Sequence, residues 1–433
     1  MKELWRQPSF RWYWLGMLLS ALGDQFGWMG LTWFVMKKTG SSAAMGGVIL
    51  AYMLPAVFSG LVAGVLLDRY ERRKLIMVDN VVRGLIFILL VALLLAEQVP
   101  LAVIYVLIVI AGILSPLSTA GAQTMLPSLV TDPKHLVRAN GVMESQWQIV
   151  YMFGPALAGV LIGLIGEAYV LLIDAASFFI CAFCFSRLPR QAKSSQVPAA
   201  ASAVKENAGG YVRSLLRDMR TGYRYLFTKR QMLALVFFTF LFNMAYGPIE
   251  VALPLYANQD LGGGSVALGM LWSSLAIGAL LGSLFFSTVT WKVPLGATLA
   301  GIIAAWGITT LPLALFSRLE VAMVAMALAG FSYSPYNILY RSYLQKQVPN
   351  DLLGRVMTSI RTITGTGMPA GAAVSGLLIP FLGVQGLFGA GALVCLLAAG
   401  AAFVALRQLD KPSLAVEQRG DEPLHAMGKE GVE

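Results

Sequence analysis

Two carboxylates stand where carboxylates are costly. Asp24 and Glu250 each sit inside a long apolar run, and a charge carried into hydrocarbon must be paired, hydrated or neutralised, which makes every such residue a functional candidate. Asp24, midway along the first run, reads as an isolated acid that could exchange a proton or make a helix-packing hydrogen bond. Glu250 lies beside Asn243, Tyr246 and Pro248 and could hold a proton or meet a cationic ligand. Glu144 opens the fifth run near its charged end, where water could reach it. Asp79 and Arg83 are four residues apart, the spacing of an ion pair on one helix face, and read as structural. Asp174, at the start of the sixth run, also reads as structural.

A second group offers surface rather than charge. Tyr333, Tyr336, Asn337 and Tyr340 recur along the tenth run, and with Gln146 and Trp147 they suggest an aromatic, hydrogen-bonding cavity for an amphiphile. Rings at helical spacing also serve plain packing, so both readings stand. Cys181-Ala-Phe-Cys184 matches a redox spacing but lies inside an apolar run without a βαβ context, and reads as two buried thiols. The only histidines are His135 and His425. With no His-rich metal site, P-loop or H-E-x-x-H, catalysis is not expected, nor is a cofactor.

The elements that position these residues follow from composition. Of 433 residues, 57% are hydrophobic and 12% charged, too little charge to cover soluble domains of this size. The apolar runs are about twenty residues long, the length of a helix that crosses a bilayer. Twelve spans are expected, near 11–36, 44–67, 75–95, 100–124, 139–165, 168–187, 231–257, 265–289, 294–317, 319–341, 356–380 and 384–407. The first is too long for a signal segment and is expected to stay in the membrane. Of the 32 Lys and Arg, 27 fall in the N-terminus, the even-numbered connections and the tail. Only Lys37, Lys38 and Arg318 fall in the odd-numbered connections, and Arg83 and Arg361 lie within spans. This asymmetry is the positive-inside signal and places both termini in the cytoplasm. The net charge of +10 is therefore topology rather than a nucleic-acid surface.

The chain divides into an N-terminal bundle, 1–187, a linker, 188–229, a C-terminal bundle, 230–407, and a cytoplasmic tail, 408–433. The linker holds an Ala/Ser-rich tract, Val197 to Val204, and then a basic amphipathic helix in which Arg213, Arg217, Arg220 and Arg224 recur, expected to lie on the cytoplasmic leaflet. The halves resemble each other. Leu126-Pro-Ser-Leu-Val130, with Asp132, Leu136 and Arg138 after it, is echoed 218 residues later by Leu344-Gln-Lys-Gln-Val348 with Asp351, Leu352 and Arg355. A parallel six-plus-six repeat puts a cavity between two bundles that can rock around it.

Between the second and third spans stands Gly64-Val-Leu-Leu-Asp68-Arg69-Tyr-Glu71-Arg72-Arg73-Lys74. The small residue lets helices approach, the Asp can accept hydrogen bonds at a helix N-terminus, and the Arg cluster can bridge carboxylates. This loop resembles the signature between helices two and three of the major facilitator superfamily, with Glu71 where that pattern usually has Gly. Gly154-Pro155-Ala-Leu-Ala158-Gly159 resembles the superfamily's antiporter signature, with Ala158 replacing a Gly. Leu22-Gly-Asp24, Leu172-Ile-Asp174-Ala-Ala-Ser-Phe, Leu253-Pro-Leu-Tyr256 and Leu353-Gly-Arg355-Val356 resemble its drug:proton antiporter branch, which includes macrolide, tetracycline/aminoglycoside and siderophore exporters. The fourth span lacks the Arg that many proton-coupled relatives carry.

The resemblance implies an all-α membrane protein of twelve transmembrane helices in two pseudo-symmetric six-helix bundles around a central cavity. It implies a monomeric inner-membrane exporter of a small amphiphile, in contact with lipid and driven by a proton gradient, with antibiotics, siderophores and endogenous or lipid-like metabolites as alternative cargoes. Gly64, Asp68, Arg69, Arg72, Arg73, Arg355 and Arg361 are then the expected cytoplasmic gate, with Asp68 meeting the start of the eleventh span when that side is shut. Gly154, Pro155 and Gly159 are expected to let the fifth span pack on the opposite half. A membrane sensor or scaffold without transport would need a signalling segment that the sequence does not display.

Overall fold

The computed structural model describes residues 2–95, 100–130, 132–189, 208–288 and 294–407. The Ala/Ser-rich tract and the tail 408–433 lie outside the described residues. The described chain is helical throughout, without strands. Its helices are α1 (Lys2–Arg6), α2 (Pro8–Thr39), α3 (Ser42–Arg69), α4 (Arg72–Leu95), α5 (Leu101–Leu129), α6 (Pro133–Ile165) and α7 (Glu167–Ser186), then α8 (Ala208–Thr228), α9 (Arg230–Leu255), α10 (Gly264–Thr288), α11 (Leu295–Thr310), α12 (Pro312–Leu315), α13 (Leu319–Gln347), α14 (Asn350–Gly365) and α15 (Gly367–Leu406). A π-helical turn, Tyr256–Asp260, follows α9.

Local sequence explains the ends. Ser41 caps α3 by accepting from the Ala44 amide, and Asp132 caps α6 by accepting from the Lys134 amide. The 40 residues of α15 would run about 60 Å at 1.5 Å per residue, twice the hydrocarbon thickness of about 30 Å. They divide at Gly383, whose φ of 70° and ψ of 172° break the helix and suit only glycine.

Among the described residues nine helical segments qualify as membrane spans by length and hydropathy alone, one of them Leu352–Leu406, which the Gly383 break makes two. The remaining spans are α2 and α13, whose hydropathy is diluted by Asp24, Lys37 and Lys38 in one and by Arg341 and Lys346 in the other. Both nevertheless pack within the bundles as the others do.

One pairing scheme appears twice. In the first half α2 packs on α6 and α7, α3 on α5, and α4 on α5 and α7; in the second, α9 packs on α15, α10 on α13, and α11 on α13 and α15. The halves meet through α3 on α15 and α6 on α10. Those seams are closest at the end remote from α8. There the Ser42 hydroxyl donates to the Gly376 carbonyl at 2.8 Å, and Ser265 donates to the Gly159 carbonyl at 2.9 Å. At the α8 end, Asp68 is exposed and no atom lies within 4 Å of where a Cβ on Gly64 would stand. The cleft between the bundles therefore opens toward α8.

The amphipathic linker helix that the sequence sets on the cytoplasmic leaflet is α8, and it packs its inner face on the second half. Leu226 is buried, the Ser359 hydroxyl donates to the Met219 carbonyl at 3.3 Å, and Arg355 Nε lies 2.9 Å from Asp218 Oδ1. Arg217, Arg220 and Arg224 point away, exposed.

Candidate functional site

Helix packing leaves a cavity of ≈ 570 Å³ between the halves, within the range of small-molecule sites. The first half supplies Asp24, Gln25 and Trp28 from α2, Tyr52 from α3, Arg83 and Phe87 from α4, Trp147, Gln148, Tyr151 and Pro155 from α6, and Asp174 and Phe178 from α7. The second half supplies Tyr246 and Glu250 from α9, Trp272 from α10, Trp306 from α11 and Tyr333 from α13.

The first-half wall is ionic. Arg83 Nη1 lies 3.2 Å from Asp24 Oδ1, and Arg83 Nε lies 3.2 Å from Asp79 Oδ1. Asp79 also accepts from the Ser118 hydroxyl, which in turn accepts from the Asn80 amide at 2.8 Å. The guanidinium lies 4.2 Å from the Phe178 ring centre, a cation–π contact that favours a desolvated arginine. Asp24 is thus not the isolated acid that its sequence context suggested. The Asp79–Arg83 pair exists as the spacing predicts, but it extends across 59 residues to α2 and reaches the cavity.

The second-half wall is aromatic. Tyr246 stacks on Trp306 with ring centres 5.4 Å apart, Tyr333 tilts against Trp306 at 5.6 Å, and Phe242 packs edge-on to Trp306 behind them. Glu250 is the second half's carboxylate in the cavity wall, 6% exposed. It accepts the Trp28 indole N–H across the cavity at 3.1 Å, a neutral donor that orients the carboxyl group.

Several expected cavity residues lie elsewhere. Gln146 is buried with both amide atoms unpartnered, while Trp147 and Gln148 carry the cavity-facing side of α6. Asn243 donates to the Thr364 carbonyl at 3.0 Å, holding α9 to α14. Tyr336 is buried with its hydroxyl 2.9 Å from Thr239, and Tyr340 is buried beyond it. Asn337 is exposed and donates to the Tyr333 hydroxyl, and Glu144 is exposed beside Gln148. Only one face of α13 can look inward, and close packing against α10 gives that face to Tyr333. Sequence reasoning missed Trp28, Trp272 and Trp306, rings spread over three helices. Trp28 had a usable signal, one helical turn from Asp24.

The loop residues are tied within the first half. Arg72 donates to the Thr124 carbonyl at 3.0 Å, Arg73 donates to the Leu188 carbonyl, and Glu71 draws in Arg73 and Lys74 at 3.6 and 3.3 Å. Asp68, Arg69 and Arg361 are exposed, and Arg355 is held by Asp218 of α8. Among the described residues no ion pair joins Asp68 to Arg355 in this open-ended state. The fifth-span motif divides as well. A Cβ on Gly159 would stand 2.3 Å from the Ser265 carbonyl of the opposite half, and a Cβ on Gly269 would stand 2.5 Å from the Pro155 carbonyl. A Cβ on Gly154 would instead meet the Gln25 side chain of its own half. Gly154 therefore serves packing inside the first bundle, contrary to expectation, because its face of α6 points at α2.

Known proteins resemble the chain along most of its length. Multidrug efflux pump Tap of Mycobacterium tuberculosis is 27% identical over 400 residues, covering 91% of this chain and 93% of that one. Macrolide efflux protein A of Streptococcus pyogenes is 23% identical over 384 residues, covering 87% and 90%. Among solved structures, nucleoside transporter NupG superposes with a TM-score of 0.71 at 14% identity, over 92% of this chain and 98% of that one. A bacterial homologue of the iron transporter ferroportin in an inward-facing state gives 0.68 at 14%, over 93% and 98%. At such identities these two establish the fold alone. The family model described as Major Facilitator Superfamily matches residues 13–368, and the chain belongs to that superfamily: it is a multi-pass membrane transporter, not an enzyme.

Proposed function

We propose that the chain is a secondary active efflux transporter that exports amphiphilic small molecules, drugs or antibiotics among them, by alternating access and in exchange for protons. One observation carries the reading. The cavity sets an aromatic wall and Glu250, a carboxylate without a cation partner among the described residues, opposite a wall where Arg83 already pairs Asp24 and Asp79, and it opens at the α8 end. Stacked rings hold an apolar body of varied shape, and the free carboxylate selects a cationic end. The efflux names of the sequence relatives agree. The Lys and Arg asymmetry puts α8 and both termini in the cytoplasm of an inner-membrane protein, so the cleft loads from inside. The chain is taken to act as a monomer, because the cavity lies within one copy.

Gate and drive follow the same reading. Asp68 meets the start of α14 near Arg355 or Val356 when the α8 end shuts, and a proton entering from outside at the cavity carboxylates displaces the cargo. The test is transport by the purified chain in vesicles with an imposed pH gradient, alongside a drug-susceptibility panel with and without the gene. A panel without differences, together with export of a metal-chelating or lipid-like metabolite, would replace drugs by an endogenous cargo. Uphill transport indifferent to the pH gradient would remove the antiport.

A further inference from the structure

The first-half wall holds more negative charge than it can pair. Asp24, Asp79 and Asp174 gather around one guanidinium, Arg83, whose ion pairs go to Asp24 and Asp79. Asp174 is left over. It is 1% exposed and lines the cavity, and its Oδ2 has no hydrogen-bond partner among the described residues. Its Oδ1 has only the Ser177 hydroxyl at 3.4 Å, and that hydroxyl already donates to the Asp174 carbonyl at 2.7 Å. The carboxyl group lies in a slot made by two glycines one turn apart on α2. A Cβ on Gly27 would stand 1.9 Å from Asp174 Oδ2, and one on Gly23 would stand 2.7 Å from Oδ1.

The groups facing this slot are few. Asp24 comes from α2, Arg83 with Asp79 behind it from α4, and Tyr52 from α3; Tyr151 of α6 lines the same cavity. On α7 itself Glu167 is paired away with Lys37 at 3.0 Å. Among the described residues no group of His, Cys, Asp or Glu could hold a metal ion. A buried carboxylate with neither a cation nor adequate donors does not stay ionised, because nothing replaces its lost hydration; it takes a proton.

We propose that Asp174 is the proton-carrying site of this transporter, with the cavity-facing Asp24–Arg83 pair as its relay. The proposal rests on the proton-antiport reading above. With the proton on the Asp174 carboxyl group, Arg83 is free to serve Asp24 and Asp79. On release, the O–H bond breaks, the proton passes by way of Asp24 to cavity water, and the new carboxylate competes for Arg83. Arg83 is then drawn toward α7 and away from Asp24, which changes the charge that the cavity presents to a cationic cargo. Proton binding and cargo binding are thereby made to compete through one guanidinium.

Two measurements on the full chain decide it. In the parent protein an apolar carbodiimide, which reacts with protonated carboxyl groups, should modify Asp174, read by peptide mass spectrometry, and modification should fall as pH rises. A map without Asp174 overturns the proposal whatever any variant does. Asp174→Asn keeps the shape and imitates the protonated acid; in vesicles it should bind a cationic cargo more weakly and without the parent's pH dependence, and lose accumulation driven by an imposed pH gradient. Accumulation equal to the parent's overturns the relay. A parent that ignores the gradient removes the antiport reading instead, while the carbodiimide map still decides whether Asp174 carries a proton.

Discussion

The first-half wall of the cavity is built from charge and the second-half wall from rings, although both halves repeat one helix-pairing scheme. Arg83 ties α2 to α4 through Asp24 and Asp79. At the corresponding depth of the second half, Tyr246, Trp306 and Tyr333 stack and tilt without an ion pair among them. The repeat sets where a wall stands; the side chains set how it behaves. An ionic cluster in a low-dielectric setting cannot open without stranding a charge, so it fixes helix positions. An aromatic wall gives surface without directional demands and accepts ligands of different shape. Fixed geometry and coupling thus fall to one half, and cargo tolerance to the other.

The sharpest break in that contrast is Arg83→Met. Removing the cation of the cluster strands the buried Asp79 and the half-buried Asp24 and should cost about 3–5 kcal/mol, seen as loss of protein from the membrane and a lower Tm in detergent. Combining it with Asp24→Asn and Asp79→Asn should recover much of that loss, since no ion then lacks a partner. If the single variant is as stable as the parent, the first-half wall is not held by charge.

On the opposite wall the expected effect is on binding. Glu250→Gln keeps the Trp28 hydrogen bond available but removes the charge, and should weaken a cationic cargo by about 1.5–3 kcal/mol, the scale of a charge-assisted contact. An uncharged analogue should bind with near-parental affinity. Equal weakening of both in a fluorescence or calorimetric titration would mean that Glu250 shapes the wall rather than selecting charge.

Between the walls lies the seam that lets them rock. A side chain at Gly159 would overpack backbone against backbone, an insult of ~1–3 kcal/mol, so Gly159→Leu should depress the state closed at that end by roughly 5- to 150-fold and transport with it. Gly154→Ala, which meets only the flexible Gln25 side chain, should stay close to parental transport. The reverse ranking in vesicle assays would return the seam to Gly154.

The helices were legible because a bilayer demands long apolar runs, and even α2 and α13, whose charged residues dilute their hydropathy, read as such runs near 11–36 and 319–341. Asp24 and Glu250 were legible because charge in an apolar run stands out. What spacing could not supply was rotation and distance. Tyr333, Tyr336 and Tyr340 look alike along the sequence, yet only Tyr333 reaches the cavity, because close packing against α10, where Gly330 meets the Leu275 carbonyl, fixes how α13 is turned. Asp79 and Arg83 were paired correctly from their i,i+4 spacing, but Asp24 joins them from another helix, a contact with no local signature. Asp174 looked structural because its slot is made by Gly23 and Gly27, which advertise nothing until α2 and α7 are side by side.

The smallest effect concerns the helix that joins the halves. Asp218 and Arg355 are 2.9 Å apart but 43% and 46% exposed, so their pairing is worth only about 0.2–1 kcal/mol. Asp218→Ala should therefore leave Tm almost unchanged. The pair holds Arg355 on α8 in a state where the α8 end is open, and the gate proposed above needs the start of α14 to approach Asp68 when that end shuts. Losing the pair should shift the population toward the shut state by up to about fivefold, the equivalent of 1 kcal/mol. Raising ionic strength should produce part of the same shift in the parent, because an exposed pair is screened. Spin labels on Val137 and Lys346, near the open ends of α6 and α13, would report it as growth of the short-distance population. Unchanged distances in Asp218→Ala, with no salt dependence in the parent, would make α8 a passive strap and confine the working contrast to the two cavity walls.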